Sequence, residues 1–224
     1  MKVILIRCTM KKRVLVAMLA GLLPLCASAW VSSQPFNKRF YISVPDTIAK
    51  QDTAKMDLED LENKLKENPK LFILCNPHNP LGHVWTRDEL EAIGNLCIKY
   101  KVPVISDEIH ADLTLWDNKH IPMASISEEI RQNTITCTST GKAFNLAGLQ
   151  SATIIFNNLD VKSKFDRFWK DLEVHRNNPF NLVATIAAYS DGGEEYLKQL
   201  KEYLEKNILF LNSFFKEYIP EITP

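Results

Sequence analysis

Three short apolar runs, each stopped by a cluster of polar residues, constrain this chain more than anything else in it. Leu71-Phe72-Ile73-Leu74-Cys75 runs into Asn76-Pro77-His78-Asn79-Pro80-Leu81-Gly82. Residues 102–106 run into Asp107-Glu108-Ile109-His110, and residues 134–138 into Ser139-Thr140-Gly141-Lys142. Continuous apolar runs of this length mark strands buried on both faces. Helical periods lie around them. Residues 57–66 put Leu58, Leu61 and Leu65 on one face. Thr86 with Glu89 forms a capping box, opening a helix whose apolar positions are Leu90, Ile93, Cys97 and Tyr100. Residues 123–131 read as a short helix and 152–156 as a fourth strand. The alternation predicts an α/β fold, a mostly parallel sheet covered by helices. From Asp160 the chain reads as helical to its end, with Leu197, Leu200, Leu204, Ile208, Leu211 and Phe215 along one face. Residues 31–55 are polar and irregular, with no clear period.

The charge balance narrows the partners. With 27 basic and 27 acidic side chains the net charge is zero, which argues against a grip on nucleic acid or an anionic membrane. A hydrophobic share of 46% excludes wholesale disorder. Five cysteines, an odd number without CxxC spacing, give neither a disulfide framework nor a zinc ligand pattern, so no metal is expected. Near the start, Lys11-Lys12-Arg13 precedes an apolar run over residues 14–29 that ends Ala27-Ser28-Ala29. The pattern is that of a secretory signal peptide. The run is too short, and broken by Pro24, for a stable transmembrane helix. The other reading is a stretch with no targeting role, either sheet and helix of an incomplete domain or sequence from outside the original frame.

In an open parallel sheet, ligands bind beyond the carboxyl ends of the strands. Asn79 follows the first strand, Asp107 and His110 the second, Ser139 and Lys142 the third. An amide, a carboxylate, an imidazole, a hydroxyl and an amine are thus expected to face one crevice. Gly141-Lys142 ends like a phosphate-binding loop, but that pattern needs Gly at 136 and Ser or Thr at 143, where Thr136 and Ala143 stand. No G-x-G-x-x-G and no G-x-S-x-G occurs, so a dinucleotide site and a serine hydrolase elbow are unsupported. Each candidate also has a plainer reading: Asp107 and Asn79 as turn formers, Lys142 as a solvated lysine, Ser139 as a helix cap, His110 as a satisfied half-buried histidine.

The segments 76–82, 106–110 and 139–149 together resemble pyridoxal-phosphate enzymes of the aspartate aminotransferase fold, over roughly residues 55–220. His110, where most such enzymes have Tyr, and Gln150, where most have Arg, make the chain most similar to the MalY/PatB-type cystathionine β-lyase branch. The resemblance implies pyridoxal 5'-phosphate as cofactor. Lys142 would hold it as a Schiff base and then move the substrate's α-proton. Asp107 would pair with the pyridinium nitrogen, Asn79 and His110 would contact the ring oxygen, and Ser139 would donate to the phosphate. The implied reaction is β-elimination from a small amino-acid thioether. An aminotransferase and a non-catalytic remnant are the alternatives. A homodimer in the cytoplasm is expected for the complete family, with export as the alternative if residues 10–29 act as a signal.

The resemblance also carries an expectation about extent. The family's glycine-bearing phosphate loop and its ring-stacking aromatic have no convincing version in residues 1–55, and no arginine for the substrate carboxylate follows the last helix. The expectation is therefore a fold truncated at both ends. Residues 1–30 would be a signal-like or non-native segment, 31–193 a partial cofactor-binding domain, and 194–224 a long helix leading to a missing small domain.

Overall fold

The computed structural model describes residues 2–11, 35–44, 56–173 and 178–221. The apolar run over residues 14–29 lies outside them. Among the described residues six strands form one sheet: β1 (Lys2–Lys11), β2 (Pro35–Val44), β3 (Phe72–Cys75), β4 (Val104–Asp107), β5 (Thr134–Thr138) and β6 (Thr153–Phe156). They lie in sequence order across it. The pairings from β2 through β5 are parallel; β1 on β2 and β6 on β5 are antiparallel. The sheet is mixed, with a parallel centre. Residues 35–44 are a strand, where the sequence read as irregular. Asn37, Lys38 and Arg39 dilute the alternation, whereas Phe40-Tyr41-Ile42 are residues that suit a pleated surface.

Strand order has a consequence for the layers. Crossovers between parallel strands are right-handed, so strands added always on the same side put their connecting helices on one face. Helices α1 (Leu58–Lys66), α2 (Arg87–Lys99) and α3 (Glu128–Gln132) are those connections. Asp57 caps α1 by accepting from Asp60 N, and the Thr86/Glu89 capping box opens α2. One core joins all three helices to the sheet: Leu61 and Leu65 of α1, Leu90, Ile93 and Cys97 of α2, and Ile130 of α3 lie with Phe72, Leu74 and Val104. Each large apolar side chain buried there contributes about 1.5–3 kcal/mol. α2 and α3 approach closely at Gly94, where a Cβ would stand 2.5 Å from Ile130 Cδ1.

The opposite face is covered less. In-register neighbours on parallel strands project to the same side. Ile73, Ile105 and Ile135 share one row and Cys75, Asp107 and Cys137 the next. The single turn α4 (Thr140–Ala143) follows β5. Three helices, rather than one helical run, complete the chain: α5 (Leu159–Asp171), α6 (Pro179–Ala188) and α7 (Asp191–Tyr218). On α5, Phe165 packs 5.0 Å from Phe156 of β6. The expected stripe on α7 is half-buried from Leu197 to Ile208, and Leu211 is exposed. Among the described residues no helix is long and apolar enough to cross a membrane.

The α6–α7 junction supplies a test. A Cβ on Gly193 would fall 1.8 Å from the Ala188 carbonyl oxygen, whereas one on Gly192 meets nothing nearer than Ser190 Oγ at 3.8 Å. Alanine in a helix is favoured over glycine by about 1 kcal/mol. Gly192→Ala should therefore raise the thermal midpoint and Gly193→Ala lower it, both read by circular dichroism.

Candidate functional site

The parallel register brings the site together. Asp107 ends β4 and lies level with Cys75 on β3 and Cys137 on β5, so a carboxylate stands between two thiols. The ladder continues past the strand ends: Asn76 N donates to Asp107 O at 2.9 Å, and Glu108 N donates to Cys137 O at 2.7 Å. Burial pushes the Asp107 carboxyl above its ordinary value. The Ile109 N–H, donating to Oδ1 at 3.4 Å, and the Lys142 ammonium pull it back in part. Burial also raises both thiols, Cys137 to about 12, so neither adds a negative charge beside Asp107.

His110 lies three residues beyond Asp107, at the entrance to a 3-10 turn over Ala111–Leu113. Burial first, and then the Lys142 charge, holds its imidazole below its ordinary value of 6.5. Lys142 is exposed on α4, and its charge reaches Asp107 and His110 together. The structure thus couples three of the five residues singled out in the sequence. Ser139 stands at the N-cap of the same turn. Its Oγ accepts from Gly141 N at 3.0 Å and donates to Ser151 O. Asn79 lies on the exposed loop beyond β3, and its N–H donates to Cys75 Sγ at 3.4 Å. That loop is braced from below by Trp85, whose indole N–H donates to Cys75 O at 2.8 Å.

Other features had no sequence signal of their own. Tyr189 O–H donates to Asp112 Oδ2 at 3.2 Å, and its ring stands edge-on to Phe144, 5.5 Å between centroids. Tyr196 stacks on the same Phe144 ring, 6.3 Å between centroids. Aromatic rings from three separate elements therefore gather two residues from Lys142. Behind β4, the buried Glu108 side chain accepts from Ser106 Oγ, Met123 N and His120 Nε2. Only the position of Tyr189 just before the helix break at Ser190, and the proximity of Glu108 to Asp107, could have drawn attention to either. Among the described residues no three histidine, cysteine or carboxylate side chains are placed to hold a metal ion.

The residues suit a group with an electron-poor aromatic ring, a carbonyl and a phosphate. A free amine and a carboxylate able to face a ring cation stand at adjacent strand ends. The Thr140 hydroxyl beside Lys142 is buried and has no hydrogen-bond partner among the described residues. Gly141 leaves little room, since a Cβ there would meet Ser139 Oγ at 3.1 Å and Ala147 Cα at 3.3 Å.

The chain is similar to known proteins. The profile of the family described as aminotransferase class I and II matches residues 41–221. Cystathionine beta-lyase PatB of Bacillus subtilis is 40% identical over 176 residues, covering 78% of this chain and 45% of its own length. A PLP-bound protein of Clostridium difficile, provisionally named an aminotransferase, aligns with a TM-score of 0.72 at 51% identity, over 74% of this chain and 42% of that one. The PLP-bound C-S lyase of Staphylococcus hominis aligns with a TM-score of 0.66 at 36% identity, over 74% and 41%. The chain spans less than half the length of these relatives.

The coupling around Lys142 can be read directly. Its positive charge lowers the proton affinity of both Asp107 and His110. Lys142→Met should move both titration midpoints upward, as followed by carboxyl and imidazole NMR.

Proposed function

The chain belongs to the class I and II aminotransferase family, and from that premise we propose that it carries the lysine-bearing part of a pyridoxal-phosphate-dependent carbon–sulfur β-lyase. Its substrate would be a cystathionine-like thioether amino acid. The observation that supports this most is the coupling of Lys142 to Asp107 and His110 at adjacent ends of a parallel sheet. Names among the relatives point the same way: cystathionine beta-lyase for PatB, C-S lyase for the Staphylococcus hominis protein.

When bound, the cofactor supplies an electron sink that stabilises negative charge at the substrate α-carbon. Lys142 Nζ would hold the cofactor covalently and, once released, take the α-proton. Asp107 would face the ring nitrogen. Its carboxyl is raised mainly by burial, so a cation set against it restores the carboxylate and gains an ion pair screened little by solvent. His110, its proton affinity lowered by burial and Lys142, presents one donor and one acceptor near neutral pH and would share the ring oxygen with Asn79. Ser139 would exchange its bond to Ser151 O for one to the phosphate, and Thr140 would gain the partner it lacks. Loss of the β-substituent as a thiol would leave 2-aminoacrylate, which takes up one water to give pyruvate and ammonia.

Transamination is the runner-up, because the family includes enzymes that carry it out with the same kind of lysine. His110 and Gln150 favour elimination, and a non-catalytic remnant stands as the third reading. Gln150 closes the turn after Leu149 in the left-handed region, at φ 57°, and is exposed. The same reading carries the partition at residues 31–193 and 194–224, a homodimer, and a cytoplasmic setting. Cys75, Cys97 and Cys137 are all free thiols, which suits a reducing compartment.

Added pyridoxal phosphate should produce a visible absorbance band that Lys142→Ala abolishes. Tight binding that survives the substitution would place the site elsewhere. Joined to the remaining portion of a relative, the chain should turn cystathionine into pyruvate and thiol, at a rate that Lys142→Ala lowers by at least about 100-fold. New amino acid formed from alanine plus a keto acid, with no pyruvate or thiol from cystathionine, would move the assignment to an aminotransferase.

A further inference from the structure

We infer that Glu108 and His120 form a buried clasp that positions Asp107 and His110, making them positioning residues for the site proposed above, on which this inference rests. Glu108 lies between the two residues it would serve. Along a strand, neighbouring side chains take opposite faces, while residues two apart share one. Asp107 accordingly shares its row with Cys75 and Cys137, and Glu108 turns to the helical side with Ser106.

There the carboxylate collects three donors from three places. Oε1 accepts from Ser106 Oγ of β4 at 2.8 Å and from Met123 N of the following 3-10 turn at 3.0 Å. Oε2 meets His120 Nε2 at 2.8 Å. Glu108 is buried, its side chain 5% exposed, and His120 is mostly covered, at 11%. An ionised carboxylate only accepts, so the His120 Nε2 carries the hydrogen. A carboxylate taken out of water is costly unless its lone pairs are matched. An apolar side chain would pack this layer at less cost, so the placement needs a reason beyond packing.

The chain path supplies one. Glu108 and His120 are the two ends of an excursion over residues 109–119, which begins with His110 and carries Asp112, the acceptor for Tyr189. Joining Glu108 to His120 closes the base of that excursion. Farther out it is tied to the C-terminal helices, by Tyr189 through Asp112 and by Trp116 N, which donates to Glu205. The backbone at Glu108 is then held twice: in the plane of the sheet by β5 through Glu108 N, and on the helical side by the clasp through its side chain. Nearby, Asn76 Nδ2 donates to Ile121 O at 3.0 Å, fastening the β3 loop to the same segment.

The test follows His110 in the full chain without cofactor, by imidazole NMR titration. The charged group that faces His110 from α4 is Lys142, which every variant keeps along with Asp107. His120→Phe removes the donor and keeps a ring; His120→Gln keeps a donor. A cooperative thermal transition by far-UV circular dichroism reports whether each variant is folded. In His120→Phe the His110 midpoint should rise toward 6.5 as the excursion opens to water, and in His120→Gln it should stay at the native value. Ser106→Ala, which removes one donor of the three, should give a smaller rise in the same direction and decides the question if His120→Phe does not fold. A native His110 midpoint in folded His120→Phe, or in Ser106→Ala where it stands in, overturns the positioning role. Cofactor titration of the same proteins separates the two ideas: a native chain that takes up no pyridoxal phosphate refutes the functional reading, while the His110 shifts still decide the clasp.

Discussion

Main-chain hydrogen bonding across β3, β4 and β5 is the constraint on which the rest of the structure depends. The register that pairs Phe72 with Val104 and Thr134 also lines up Cys75, Asp107 and Cys137. A slip of one residue would turn every side chain to the other face. Asp107 would then enter the helical core, and Glu108 would lose Met123 and His120 as partners. Burial of Phe72, Leu74 and Val104 under α1, α2 and α3 therefore fixes a chemical property as well as a shape. It decides which of two adjacent acidic residues meets the site and which meets the core.

Much of this was legible in the residues. The three apolar runs located β3, β4 and β5 to within two residues, and the capping box at Thr86 and Glu89 opened α2 where expected. Periodicity works there because each element buries a regular set of positions. It failed where the cause lies outside the segment. Residues 35–44 become a strand by pairing with β1 and β3, and no local alternation announces that. The break between α6 and α7 depends on how closely Gly193 approaches the Ala188 carbonyl. Asp107, His110 and Lys142, the residues proposed for the site, could be singled out because Asp107 ends β4 and the other two follow β4 and β5. The aromatic group of Phe144, Tyr189 and Tyr196 could not, since it is assembled from α4, the end of α6 and α7.

The electrostatics of the site follow from what surrounds Asp107. Its strand neighbours are thiols that burial keeps protonated, so they occupy space beside the carboxyl without repelling it. The nearest added negative charge is Glu108, held on the far side of the strand and neutralised in part by three donors. Lys142 is the cation that acts on both Asp107 and His110. A carboxyl in this setting is short of a positive partner, the condition under which a bound ring cation is most strongly favoured.

The sequential order of the sheet also bears on how the molecule is made. Phe72 pairs with Val104, and Val104 with Thr134, across separations of 32 and 30 residues. Each parallel strand thus finds its partner already synthesised, with one helix between them. Asp107 leaves the ribosome before Lys142 does, and α7 emerges after all of the coupled groups. Assembly of the site can run in step with translation, each stage closing a loop of similar size and entropy.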